Sequence, residues 1–228
     1  MNVRQKIYDK IFGDENLSTS TTNLYKLTLE KLDNNLKILD VGVGTGVYFE
    51  NENCVNLIKS KNLQIHGIDI NEDDINLAKR RIIDNNLDSN VSVEYKNLFD
   101  LKNIKDYDVI IFSESYPVIS ENLMFEMLNF IIHINEFKNT IMFINNIEDN
   151  PTFLQKYKPY LKHIMVNIDY GRLVSKNDMQ LMFKSLNVQN ITYELLASAT
   201  ANYALFKDKI KLPGLNFEMK QYLIKINK

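Results

Sequence analysis

Three glycines at alternate positions are the residues whose type and spacing point most directly to chemistry. Gly42, Gly44 and Gly46 follow a strand-like stretch, Ile-Leu-Asp-Val at residues 38–41, and a helix-compatible segment comes next. The pattern predicts a strand, a glycine-rich turn and a helix start, an arrangement that brings backbone N–H groups close to an anionic ligand. Glycine is needed because a Cβ would obstruct that approach or a positive φ. The dinucleotide fingerprint requires its third glycine at position 47, which is Val47, so this loop differs from the NAD pattern by one residue.

A carboxylate, Asp69, stands at the predicted end of the second strand, about 23 residues beyond Gly46. A carboxylate in that position can accept hydrogen bonds from both hydroxyls of an adenosine ribose. The alternative is that Asp69 supplies negative charge at the N-terminus of the next helix. Asn71 can already cap that helix, so the sequence favours a ligand role for Asp69.

The elements that must position these residues alternate between strand and helix. Strands are predicted at residues 37–41, 64–70, 91–95, 108–112 and 140–145, with helices at 49–60, 71–86 and 120–137. This alternation indicates βαβ units on a mostly parallel sheet. A helix at 175–186 precedes two strands, 191–197 and 219–226, which we expect to form an antiparallel hairpin at the sheet edge. Residues 2–12 and 20–33 are predicted to be helical.

Ligands of an open α/β sheet bind at the carboxyl ends of its strands, so the residues at those ends are candidates. Apart from the glycine loop they are Asp40, residues 67–70, residues 96–100, residues 113–116, and Asn145 with Asn146. Strand ends are also polar simply because they meet loops. That alternative remains open for each position and is weakest for Asp69.

The constellation resembles the class I S-adenosylmethionine (SAM)-dependent methyltransferases over roughly residues 37–145. The sequence Leu-Asp-Val-Gly-Val-Gly-Thr-Gly at 39–46 matches the first motif of that family, and Gly-Ile-Asp-Ile at 67–70 matches its ribose-binding acid. Residues 96–101 are similar to the third-strand motif, with Asn97 in place of the usual Asp, and residues 106–111 are similar to the fourth strand.

The resemblance implies a Rossmann-like, seven-stranded, mostly parallel sheet flanked by helices. The implied strand order is 3-2-1-4-5-7-6, with strand 7 antiparallel. SAM would be the cofactor, S-adenosylhomocysteine the product, and no metal would be required. Residues 1–228 would form a single methyltransferase domain, with residues 1–33 as a helical N-terminal extension. Tyr8, Phe12 and Tyr25 of that extension would cover the methionine end of the cofactor, or would simply pack on the sheet.

The resemblance also assigns roles to the candidate residues. The implied cofactor contacts are Asp40, Gly42, Gly44, Thr45, Gly46, Asp69, Ile70, Asn97, Leu98, Phe99 and Ser113. Asn97 retains an amide oxygen that can accept from the adenine amino group. Glu114 would orient or deprotonate an amine or hydroxyl acceptor, and Tyr116 would line the acceptor pocket. Alternatively, Glu114 caps a helix or contacts the cofactor amino group and has no role toward the acceptor.

These observations favour methyl transfer to an N or O atom of a small molecule. A protein or RNA methyltransferase remains an alternative, as does a SAM-binding partner subunit without activity. Nucleic acid is the less favoured partner, because the net charge of −2 provides no bulk attraction to it. The amino-methyltransferase motif Asn-Pro-Pro-Tyr is also absent. The sequence leaves the oligomeric state open.

Cysteine content and hydropathy indicate where the protein works. Cys54 is the only cysteine in the sequence, so an internal disulfide is impossible, which fits a reducing compartment. No signal peptide precedes the predicted domain, and the most apolar helix-like stretch, residues 123–134, is too short to span a membrane. We therefore expect a cytoplasmic protein without membrane association.

Overall fold

The computed structural model describes residues 22, 25–113, 121–137, 139–148, 174–188, 191–204 and 211–226. The strands are β1 Lys37–Val41, β2 Gln64–Asp69, β3 Val91–Tyr95, β4 Val109–Ser113, β5 Thr140–Glu148, β6 Val174–Ser175, β7 Ile191–Ala204 and β8 Lys211–Ile226. The helices are α1 Glu52–Ser60, α2 Glu72–Asp84, α3 Glu121–Asn129 and α4 Lys176–Ser185. Residues 25–31 form a further helical segment before β1.

The strands form one mixed sheet in the order β3-β2-β1-β4-β5-β8-β7. Strands β1 to β5 are mutually parallel, whereas β8 is antiparallel to both β5 and β7. The α/β class with a mostly parallel sheet flanked by helices is therefore confirmed. Within the described residues the sheet contains eight strands, where seven were expected. The additional strand is the two-residue β6, which pairs with Ile147 and Glu148 because β5 continues beyond its predicted end at residue 145.

Two apolar layers cover the sheet. The first contains the helical segment 25–31, α1 and α2, and the second contains α3 and α4. In α2, Ile75, Ala78 and Ile82 are buried on one face, which is the helical periodicity that the sequence indicated. None of the described helices combines the length and the apolar character needed to cross a bilayer.

The segment after the glycine loop was predicted to be one helix over residues 49–60, but the structure divides it in two. A 3-10 turn, Val47–Glu50, comes first, and α1 begins only at Glu52. Asn51 separates them, since its backbone is extended and its side-chain oxygen accepts hydrogen bonds from the N–H groups of Asn53 and Cys54. An asparagine that caps a helix in this way satisfies N–H groups that the helix leaves unpaired. The 3-10 turn buries Tyr48 and Phe49.

Candidate cofactor-binding site

The glycine loop joins β1 to the 3-10 turn at the carboxyl edge of the sheet. Its start is fixed to β2, because the N–H groups of Gly42 and Val43 both donate to the Ile68 carbonyl, at 2.8 and 3.1 Å. Gly46 has a φ of +62°, and a Cβ there would lie 2.6 Å from the Phe49 ring and 3.2 Å from Ala78. Only glycine fits this position, so the sequence pattern is required by local sterics.

Asp69 lies beside the loop, as the sequence predicted. Its Oδ2 accepts a hydrogen bond from the Gly44 N–H at 2.9 Å, and its Oδ1 accepts one from the Asn71 N–H at 2.9 Å. Lys96, which follows β3, donates its N–H to the Asp69 carbonyl at 2.9 Å. The glycine loop after β1 therefore meets the carboxylate of Asp69, and the chain after β3 meets its main-chain carbonyl. The two carboxylate oxygens together offer about four acceptor positions, of which the protein uses two.

Asp40 is fully buried on β1, beneath two tyrosines. The hydroxyl of Tyr25 donates to Asp40 Oδ2 at 2.8 Å, and the hydroxyl of Tyr48 donates to the same oxygen. The two tyrosine rings are stacked, with centroids 3.6 Å apart. The other oxygen, Oδ1, is buried and has no hydrogen-bond partner within the described part of the chain. Because buried polar atoms are nearly always paired, Oδ1 marks a position where a donor is missing.

The electrostatics of Asp40 follow from this burial. Burial raises the pKa of Asp40 to about 6, while the hydrogen bonds from Tyr48 and Tyr25 act in the opposite direction. The charge of Asp69 raises that pKa further, so the two carboxylates lie close enough to interact. Burial also raises the pKa of both tyrosines, which remain hydrogen-bond donors. At neutral pH the site therefore holds an ionised, desolvated carboxylate.

The residues after β2 and β3 form an apolar rim with one amide. Ile70 is 72% exposed and Phe99 is 37% exposed. Asn97 caps the short turn Leu98–Asp100, with its side-chain oxygen accepting the Phe99 N–H at 3.1 Å. The side chain of Leu98 instead packs in the core. Any contact of Leu98 with a ligand would therefore come from its main chain. Large apolar side chains left exposed beside a buried carboxylate are typical of a ligand rim.

Other candidate residues belong to the β4 end. Ser113 is the last residue of β4, and the pairing of Val41 with Phe112 places it level with Gly42 at the same sheet edge. Glu114 and Tyr116 lie outside the described residues, as do Tyr8 and Phe12 of the predicted extension. Among the residues that are described, no group of three or more His, Cys, Asp or Glu side chains could hold a metal ion.

Two side chains of this site are not recognisable from the sequence alone. Tyr48 was not singled out, because its contact with Asp40 depends on the 3-10 turn that replaced the predicted helix start. Arg81, 36 residues beyond Thr45, donates from Nη1 to the Thr45 carbonyl at 2.6 Å. No spacing rule connects a residue in the last turn of a helix to a preceding loop, so only the fold reveals this contact.

A surface cleft of about 490 Å³ lies elsewhere, at the amino edge of β4 and β5. Its lining includes Lys102, Lys105, Ile134 and Glu136, all of which belong to segments that enter these strands. The glycine loop and Asp69 lie at the opposite, carboxyl edge, where open α/β sheets bind their ligands. The cleft is therefore separate from the cofactor site.

The sheet order, the glycine loop and the carboxylate after β2 define a class I SAM-dependent methyltransferase. A family model described as a methyltransferase domain matches residues 32–200, and the chain belongs to this family. It is a SAM-dependent methyltransferase, and SAM is its cofactor.

Solved structures of low sequence identity share the fold. A SAM-dependent methyltransferase from Archaeoglobus fulgidus superposes with a TM-score of 0.63 at 14% identity, with 100% of both chains covered. The YcgJ protein of Bacillus subtilis gives a TM-score of 0.62 at 13% identity, covering 92% of this chain and 99% of that one. Geranyl diphosphate C-methyltransferase from Streptomyces coelicolor, solved with S-adenosylhomocysteine, gives 0.61 at 10% identity, covering 93% and 81%.

A curated relative is similar over a shorter stretch. Phosphoethanolamine N-methyltransferase from Plasmodium falciparum is 32% identical over 83 residues. The match covers 36% of this chain and 29% of the relative. Because most of the relative lies outside the match, the acceptor in its name describes that protein and does not identify the acceptor of this chain.

Proposed function

We propose that this methyltransferase acts on an N or O atom of a small-molecule acceptor. The observation that carries the cofactor half of the proposal is the unpaired, buried Oδ1 of Asp40 beside the glycine loop. An ionised carboxylate oxygen without a donor suits the ammonium group of the methionine part of SAM. Binding would pair an oxygen that the protein alone leaves unpaired.

The other residues of the site fit the remainder of SAM. Asp69 has acceptor positions left for the ribose hydroxyls, and the exposed side chains of Ile70 and Phe99 suit the apolar faces of adenine. Asn97 would accept from the adenine amino group through the free lone pair of its amide oxygen. When bound, SAM supplies an activated sulfonium methyl group, so the protein mainly positions the reactants and excludes water.

The acceptor half of the proposal rests on sequence. The curated relative named for phosphoethanolamine methylates nitrogen, which favours a small amine as the first acceptor class to test. Glu114, which follows β4 directly in the chain, would orient or deprotonate the acceptor, and Tyr116 would line its pocket. Small molecules rather than nucleic acids are proposed as acceptors, in keeping with the net charge of −2.

Transfer of a labelled methyl group from SAM tests the acceptor proposal. Wild-type chain is expected to methylate members of a panel of small amines and alcohols, and to leave RNA and histone-type protein unlabelled. Glu114→Gln is expected to lose about 10²-fold or more in turnover, the usual scale for a general base, while S-adenosylhomocysteine affinity stays near that of wild type. Labelling of RNA or protein instead of small molecules would contradict the proposal, as would full turnover by Glu114→Gln.

We also propose that the helical segment 25–31 belongs to a cover over the cofactor. Tyr25 of this segment is fully buried against Asp40, and Lys61 holds the end of the segment by donating to two of its main-chain carbonyls and to that of Leu32 just beyond it, at 3.0, 2.9 and 2.6 Å. If the segment covers the ligand, its amides should exchange more slowly with solvent when S-adenosylhomocysteine binds. Hydrogen exchange measures this, and unchanged exchange across 25–31 would leave the segment with a packing role alone.

A further inference from the structure

Arg81, in the last turn of α2, spans the chain that follows the glycine loop. Its Nη1 donates to the Thr45 carbonyl at 2.6 Å, and its Nε lies 3.0 Å from Glu50 Oε1. Thr45 lies within the loop, and Glu50 ends the 3-10 turn that comes after it. One guanidinium therefore contacts both sides of Gly46, where the chain reverses direction in the left-handed region.

The contact fixes the orientation of the peptide that joins Thr45 to Gly46. Its carbonyl accepts from Arg81, and its N–H, carried by Gly46, donates to the Val43 carbonyl at 3.1 Å. Because a peptide group is planar, holding both polar ends sets the plane of the whole group. Without the guanidinium, one of these two restraints is lost and only the Gly46 hydrogen bond still holds the peptide.

The contact matters because Thr45, whose carbonyl it holds, also carries the one N–H group of the loop that has no acceptor among the described residues. Of the five backbone N–H groups at positions 42–46, those of Gly42, Val43, Gly44 and Gly46 donate to groups of the protein. The Thr45 N–H donates to none of the described residues. Thr45 is thus the residue whose carbonyl is held by Arg81 and whose N–H remains for an anionic or acceptor group of a ligand.

We propose that Arg81 is a positioning residue for the cofactor, one that holds Thr45 in the conformation that leaves its N–H available for binding. The inference rests on the proposed use of this loop for SAM. Arg81 is 23% exposed and its partner Glu50 is 52% exposed, so their ion pair contributes little to stability. The contact with the loop, rather than the ion pair, gives Arg81 its effect.

Arg81→Met removes the guanidinium and keeps much of the apolar stem. We expect its affinity for S-adenosylhomocysteine, measured by calorimetry, to fall by about tenfold or more, as for the loss of a charge-assisted hydrogen bond. The KM for SAM should rise in parallel, while kcat at saturating SAM changes much less. Amide exchange should accelerate at residues 42–46 and stay unchanged in β1, a local pattern that general destabilisation would not produce.

Arg80→Met is the matched control, because Arg80 is the adjacent arginine on the same helix and its side chain is exposed. It should bind S-adenosylhomocysteine within about twofold of wild type, as surface changes usually have small effects. If Arg81→Met does not fold, Arg81→Lys keeps the positive charge but removes the planar fork that contacts Thr45 and Glu50 together, and an affinity loss of a few-fold is expected.

The outcomes separate this inference from the proposed function. Binding by wild type with equal affinity in Arg81→Met, or with no loss in Arg81→Lys where the methionine variant cannot be studied, would overturn the role of Arg81 alone. Equal losses in Arg81→Met and Arg80→Met would also overturn it, by revealing a general effect of helix charge. Absence of binding by wild type itself would overturn the proposed use of the loop, and with it this inference.

Discussion

Replacing Asp69 with alanine is expected to weaken binding of S-adenosylhomocysteine by about 5- to 150-fold, the equivalent of roughly 1–3 kcal/mol for a buried hydrogen-bonded group left without its acceptor. The ribose hydroxyls would lose their proposed acceptor. The Gly44 and Asn71 N–H groups, both 2.9 Å from this carboxylate, would lose theirs as well. The effect should therefore combine a lost ligand contact with a loosened glycine loop.

Asp73→Ala is the matched control for this change. Asp73 carries the same charge in the first turn of α2, but its side chain is exposed. Calorimetric titration should give Asp73→Ala nearly the affinity of wild type, since exposed charges contribute little at ordinary ionic strength. Wild-type affinity in Asp69→Ala would show that Asp69 serves only the start of α2, the alternative that the sequence left open.

Replacing Asp40 with asparagine is expected to stabilise the fold at neutral pH relative to wild type, and to weaken cofactor binding. The pKa of Asp40 is raised from 3.8 to about 6 by burial, so the folded state holds this proton more tightly than the unfolded state does. The stability that this group contributes is therefore present below pH 3.8 and is lost as pH rises to about 6. At 1.36 kcal/mol for each pKa unit, the loss amounts to about 3 kcal/mol.

Asparagine cannot ionise, so its variant should not show this loss. The difference in free energy of unfolding between Asp40→Asn and wild type should grow by roughly 2–3 kcal/mol between pH 4 and pH 7, as measured by urea titration. Asp88→Asn, which removes a charge from an exposed side chain, should keep the wild-type pH profile. A difference that does not vary with pH in Asp40→Asn would contradict the buried, ionised state of Asp40.

The pH dependence of ligand affinity provides a second measurement. Protonation of Asp40 stabilises the fold, but it should weaken ligand binding. If the ionised Oδ1 accepts from an ammonium group, wild type should bind S-adenosylhomocysteine less tightly as pH falls below about 6 and Asp40 takes up its proton. Asp40→Asn should bind weakly at every pH, because the charge is absent throughout. Tight binding by this variant, with the wild-type pH profile, would exclude a contact between Asp40 and the cofactor.

Short-range patterns carried most of what the sequence could predict. The glycine loop, the carboxylate after β2 and the cap of α2 by Asn71 each depend on neighbouring residues and on sterics at one turn, and each is confirmed. Their convergence at one sheet edge followed from the alternation of strands and helices, because parallel strands place their carboxyl ends together.

What the sequence could not predict depends on contacts between distant segments. Asp40 is buried by Tyr25 and Tyr48. Tyr25 precedes Asp40 in the sequence, and Tyr48 follows it. The contact of Arg81 with Thr45 depends on the packing of α2 beneath the loop. The prediction of one helix over residues 49–60 was wrong for a local reason. The side chain of Asn51 bonds to the backbone and caps α1, which interrupts the helix that the pattern predicted.

Calorimetric titration of the wild-type chain with S-adenosylhomocysteine, alone and in the presence of NAD, tests the central claim most directly. The loop geometry, Asp69 and the unpaired oxygen of Asp40 predict saturable binding with one site. Val47 occupies the position of the third dinucleotide glycine, so NAD at comparable concentration should leave that binding unchanged. No binding heat and no thermal stabilisation at millimolar S-adenosylhomocysteine, or displacement of it by NAD, would contradict the account.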